Sequence, residues 1–173
     1  MEDFLYKYNK SRTIEEALKK SIGAAVKRNV LYEKSQLANR LQVRNIWKQE
    51  LCMLFHDYNQ NHWDEMRYEF EIESLKCVMN SSFPGLIDFR ISHSQKSIGV
   101  FFKHLWCLGK IPTPPQCPVD RKILTYANAP SNERSWGFVD DLNSHRHKYS
   151  YIRNAAANEG FEVVPEWELC SFK

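Results

Sequence analysis

Two side chains whose types and spacing suit chemistry on one substrate lie in the stretch SHSQKSIGVFFKHLWCLGKIPTPPQCPVDRKILTY, Ser92 to Tyr126: Lys96 and Asp120. An amine can attack an electrophilic carbon or serve as a cation, and a carboxylate can stabilise developing positive charge or orient a water. The elements that must position them read as helix, rigid loop, helix. Ile98, Phe101, Phe102, Leu105, Trp106 and Leu108 recur at helical spacing, Ser92 or Ser94 can cap the start, and Gly109 ends the run. Lys96 then falls in the first turns. Pro112, Pro114, Pro115 and Pro118 fix the backbone until Val119-Asp120 opens the next helix. Each residue alone has an ordinary explanation: an aspartate beside the unpaired N–H groups of a helix start is favourable, and most lysines are solvated. Their joint occurrence across a loop stiffened by four prolines is what points to chemistry.

A lysine early in one helix followed by a proline-fixed loop and an aspartate resembles the helix-hairpin-helix DNA glycosylase superfamily. Pro118-Val119-Asp120 is the most specific part. Gln95-Lys96-Ser97-Ile98 with a phenylalanine soon after is similar to the archaeal 8-oxoguanine glycosylase branch, and a small chain with a divergent hairpin also resembles anti-phage glycosylases that excise modified bases such as glucosylated hydroxymethylcytosine. The match covers about a fifth of the 173 residues. It departs from the family in one place: Ile91-Ser92-His93-Ser94 lacks the glycine-rich hairpin, and Pro84-Gly85 lies too far upstream to supply it.

The resemblance implies an all-α, compact bundle that hydrolyses an N-glycosidic bond and leaves an abasic site. Asp120 would be the catalytic carboxylate and Lys96 the catalytic lysine. Positive charge develops on the sugar as the bond breaks, and Asp120 would stabilise it. A nucleophilic lysine must spend time neutral; burial favours that form and a neighbouring carboxylate opposes it, so attack by water is the preferred route. Extruding a base requires a wedge or stacking pocket, for which Trp47, Trp106 and Trp136 are candidates, although Trp47 and Trp106 also suit the core. Gln95, Lys103, Arg121, Arg146, Lys148 and Arg153 are the expected DNA-binding residues, the last three on a basic helix interleaved with Tyr149 and Tyr151. The expected partner is double-stranded DNA, bound by a monomer without a cofactor.

Composition sets wide bounds. A chain of 173 residues suits one domain, 1–173, and 43% hydrophobic with 26% charged residues is ordinary for a globular protein. No apolar run approaches the roughly 20 residues that span a bilayer, and MEDFLYKYNK is too acidic for a targeting peptide, which predicts a cytoplasmic location. The five cysteines are odd in number and form no C-x-x-C, with Cys52, Cys77 and Cys107 in apolar helical patterns. His145-x-His147 has no further ligand at metal-binding spacing, so no metal is expected. The net charge of +3 permits nucleic-acid binding without demanding it.

About six helices follow from the remaining pattern. Thr13-Ile14-Glu15-Glu16 has capping-box spacing before a helix to about Val30, with Ala17, Leu18, Ile22, Ala25 and Val26 inward and Lys19, Lys20, Lys27 and Arg28 outward. A second helix starts after Ser35 and runs through Leu37 and Leu41 to Phe55. The third is expected from His62 to about Met79, capped by Asn61, with Trp63, Met66, Phe70, Ile72, Leu75 and Val78 inward and an acidic outer face. A polar helix over about 140–159 closes at Gly160, and the tail from Phe161 to Phe172, containing Pro165, is expected to be an extended strap. The rival from another class is a helical DNA-binding or interaction module in which Asp120 is only a cap and Lys96 only a phosphate contact. A nuclease ranks lower for want of clustered carboxylates.

Overall fold

The computed structural model describes residues 4–8, 11–27, 29–32 and 39–171. Arg28, the expected helix start at Ser35, Leu37 and Phe172 lie outside them. The described chain is all-α: after a π-helical turn (Phe4–Tyr8) come α1 (Ile14–Val26), α2 (Arg40–Gln60), α3 (Glu65–Ser82), α4 (Ile91–Cys107), α5 (Arg121–Tyr126), α6 (Leu142–Asn158) and α7 (Val164–Cys170). A 3₁₀ turn, Ser131–Glu133, precedes α6. The described residues include no strand, only an isolated bridge between Tyr32 and Ile87. No described helix is long and apolar enough to cross a membrane.

Helix α4 is the axis. Of its 17 residues all but Val100 are buried, so the helix is enclosed by its neighbours rather than packed on one face. Ala17, Ser21 and Ala25 give α1 a face of small buried residues, which lets α4 approach closely. The capping box at Thr13 forms as the spacing predicts, with Glu16 N–H donating to Thr13 Oγ1 at 3.2 Å and Thr13 N–H to Glu16 Oε2 at 3.3 Å. Helix α1 nevertheless ends at Val26 rather than near Val30.

The start of α4 also differs from expectation. It begins at Ile91, and His93 Nδ1 accepts the Arg90 N–H at 3.0 Å, so neither Ser92 nor Ser94 is the cap. Ser92 is instead a tie between loops, donating to the Gly137 carbonyl at 2.9 Å and accepting from Asn29 at 3.2 Å. Helix α3 is capped by Asp64, not Asn61, and its buried face is Tyr68, Ile72, Leu75 and Met79 together with Glu69 and Glu71. Met66 and Phe70 are exposed, and so is Cys77. The i, i+4, i+7, i+11 row through Tyr68 decides the phase, and the two buried glutamates are accepted because Arg146 and Arg67 pair with them.

The tail is helical rather than extended. Pro165 stands in the first turn of α7, where its missing N–H costs nothing and its fixed φ suits the helix. Trp167 on α7 is fully buried against Val119, Leu124 and Ile152, which form a smaller apolar cluster beyond the proline loop. The larger cluster surrounds α4 and includes Trp47, Leu51, Ile72, Phe101 and Phe102.

Candidate active site

A helix buried on all sides that carries Ser92, His93, Gln95, Lys96, Ser97 and Lys103 must find most of its polar partners within the protein. Ser97 does so by donating to the Ser94 carbonyl and accepting Trp47 Nε1–H at 3.1 Å. Gln95 clamps the loop: its Nε2 donates to the Val119 carbonyl at 2.9 Å, and its Oε1 accepts the Val119 N–H at 3.0 Å. The amide imitates a peptide group and fixes the residue before Asp120. Gly99 sets how near the loop comes, because a Cβ there would stand 2.8 Å from Pro118 Cα. Any larger residue pushes the loop off the helix.

These contacts deliver Asp120 to Lys96. Asp120 is the N-cap of α5, its Oδ1 accepting the Ile123 N–H at 2.9 Å, while Oδ2 accepts from Lys96 Nζ at 2.6 Å. Lys96 is 8% exposed and Asp120 31%, so the carboxylate is the accessible partner. Burial pushes the Asp120 carboxyl up, but the Lys96 charge and hydrogen bond and the backbone N–H groups of Ile123 and Lys122 outweigh it. The group sits below its ordinary value of 3.8.

Both residues line one pocket of about 270 Å³ between α1, α4, α7 and the N-terminal turn. Lys96, Val100, Lys103 and His104 supply the α4 wall, Pro118 and Asp120 the loop, and Phe4, Lys20, Ala24 and Glu168 the rest. Lys103 and Glu168 form a second ion pair there, 5% and 4% exposed. Burial lowers the Lys103 amine and raises the Glu168 carboxyl, and their mutual attraction only partly offsets it. The Lys103 amine also stands 4.3 Å from the centre of the Phe4 ring. Burial holds His104 neutral, its value lowered to about 3, and its Nδ1 has no hydrogen-bond partner.

The structure thus brings Lys96, Asp120 and Lys103 into one pocket, and places Arg121 and Trp136 together in a neighbouring one. Trp47 and Trp106 are buried in the core, at 0% and 8% exposure. Gln95 is likewise internal. Each basic residue expected on α6 already has an acidic partner: Arg146 reaches Glu69 at 2.8 Å, Lys148 reaches Glu133 at 3.1 Å, and Arg153 pairs with Glu65. Glu168, His104 and Phe4 lie outside the residues that the sequence marks as a site. The spacing of Lys96, Val100, Lys103 and His104 is a signal that could have found part of this wall, since i, i+4, i+7 and i+8 share one helix face. Glu168 carries no such signal, because its helix was expected to be extended.

Among the described residues no three His, Cys, Asp or Glu side chains cluster as metal ligands. No protein-family model matches the chain, and no curated protein or solved structure is significantly similar to it.

Proposed function

We propose that the chain is a DNA glycosylase that hydrolyses the N-glycosidic bond of a modified or damaged base and leaves an abasic site. The observation that carries this reading is the 2.6 Å contact between Lys96 and Asp120 at the edge of a shared pocket. A carboxylate kept ionised against its own burial is suited to the cationic sugar that forms as the bond breaks. Attack by Lys96 would require the amine to surrender the proton it shares with Asp120, so water is the nucleophile in this reading. The protein acts as a monomer, without a cofactor, on double-stranded DNA in the cytoplasm. The preferred substrate is a modified base of invading phage DNA, such as glucosylated hydroxymethylcytosine, with oxidised purine as the alternative.

One observation favours a non-catalytic helical DNA-binding module instead. Both Asp120 oxygens have structural partners, the Ile123 N–H and the Lys96 amine, as in a cap reinforced by an ion pair. Incubation with duplexes carrying oxidised purines, uracil or phage-type modified cytosines, followed by alkaline cleavage, separates the two. A strand break on one modified base, with no borohydride-trapped complex, is the expected result. A trapped complex transfers the attack to Lys96, and folded protein that breaks none of the duplexes leaves the binding module standing.

A further inference from the structure

Next to the Lys96–Asp120 pair lies a second pocket of about 370 Å³ whose walls join arginines to aromatic rings: Arg121, Arg134, Trp136 and Phe138. Its groups are only partly consumed by the fold: Arg134 donates through Nε to the Ala129 carbonyl at 2.8 Å. The Arg121 side chain is exposed and makes no hydrogen bond or ion pair among the described residues, unlike those of Arg146, Lys148 and Arg153 on α6. Phe138 is 70% exposed, with the Arg90 guanidinium 5.1 Å from its ring centre. Trp136 is half-buried, whereas Trp47, Trp63, Trp106 and Trp167 are all at 8% exposure or less.

Guanidinium groups offer several N–H donors to one phosphate, and exposed ring faces stack on any base, so the two kinds of wall together suit a nucleotide better than a purely acidic or purely apolar ligand. We infer that this pocket holds one unpaired nucleotide of a DNA strand, its phosphate on Arg121 and Arg134 and its base against Trp136 and Phe138. The inference rests on the glycosylase reading for its role. Lys96 Nζ lies 5.7 Å from the Trp136 ring centre, and Arg121 directly follows Asp120, so a nucleotide here is the neighbour of the one presented to the carboxylate. The strand must therefore be unpaired over more than the excised position. The preferred target is then a duplex locally melted around the modified base rather than a fully paired one, with little preference for the flanking base.

The test uses the full chain and an unmodified oligothymidylate, which carries no base to be released. Because Trp136 is the only tryptophan that is not buried, stacking should quench its fluorescence on titration, and the quench should vanish in Trp136→Phe. Trp136→Ala should weaken binding, followed by anisotropy of a labelled oligonucleotide, by roughly tenfold or more. Arg121→Gln should reduce the slope of log affinity against log salt by about one. A duplex of the same length should bind at least about tenfold more weakly. Equal affinity for duplex and single strand overturns the proposal, as does wild-type binding by both Trp136→Ala and Arg121→Gln, or equal binding of a polyglutamate peptide. Quenching without base release on any modified duplex supports the pocket while removing the glycosylase; base release without quenching does the reverse.

Discussion

Lys96 and Lys103 stand two helical turns apart on one face of α4, and each meets a carboxylate from beyond the proline loop, yet the two pairs are driven in opposite directions. Asp120 lies at a helix start with backbone N–H groups aimed at it and an open side, and it is held below its ordinary value. Glu168 has Lys103 as its hydrogen-bond partner and almost no solvent, and burial raises it. The lesson is that an ion pair's partner does not by itself decide its charge state; the backbone donors and the water around the acid do. One pair is suited to a reaction that develops positive charge, and the other to fastening α4 to α7.

The largest expected effect breaks the first pair. Asp120→Asn retains one oxygen for the Ile123 cap but replaces the oxygen that accepts from the Lys96 amine with an NH2 and loses the charge, so base release should fall at least about a thousandfold, roughly 4 kcal/mol of transition-state stabilisation. Single-turnover kinetics on the cleaved duplex measure it, with circular dichroism showing that the fold persists. Activity within tenfold of wild type would place Asp120 in the same structural role as Glu168.

Breaking the second pair should cost stability. Lys103→Met leaves Glu168 buried without its cation and should destabilise the fold by about 3–5 kcal/mol. The double change Lys103→Met with Glu168→Leu should recover most of that loss, because two apolar side chains in the same space need no partner. Denaturant midpoints of the single and double variants decide it. A double variant no better than the single would mean that the pair does more than join two helices.

The smallest effect is on pH dependence, and the two acids differ in sign. Asp120, lowered on folding, contributes stability above its unfolded value near pH 3.8, and the contribution is lost as pH falls through its lower folded value. Glu168, raised on folding, contributes a penalty that is absent below its ordinary value of 4.5 and grows as pH rises through its folded value. Denaturant midpoints across acid pH should show Asp120→Asn flattening the acid side and Glu168→Gln removing the decline above it. Identical profiles for both variants would erase the electrostatic contrast between the pairs.

Much of this architecture is legible from residues that act locally. The apolar spacing of Ile98 to Trp106, the capping box at Thr13 and the cap at Asp120 each depend on neighbours within a turn or two, and each forms as read. What escapes the sequence depends on partners far along the chain. The row through Tyr68 turns Met66 and Phe70 outward on α3, and Glu69 and Glu71 are tolerated inward only because arginines reach them. Gln95 reads as a surface contact until the Val119 peptide 24 residues away is seen to occupy it. Pro165 looks like a break in the tail, but the same ring is at home in the first turn of a helix, and that choice is what places Glu168 in the pocket.

The proline loop separates two apolar clusters, and Lys96 belongs with the larger while Asp120 caps a helix of the smaller. The Gln95 clamp, the Lys96–Asp120 contact and the Lys103–Glu168 pair all cross that seam. The Lys96–Asp120 distance is therefore a joint property of the two clusters rather than of either alone. Should the smaller cluster open ahead of global unfolding, the amides of α5 to α7 would exchange with solvent deuterium before those of α4, and the Lys96–Asp120 contact would be lost while most of the helical protein remained folded.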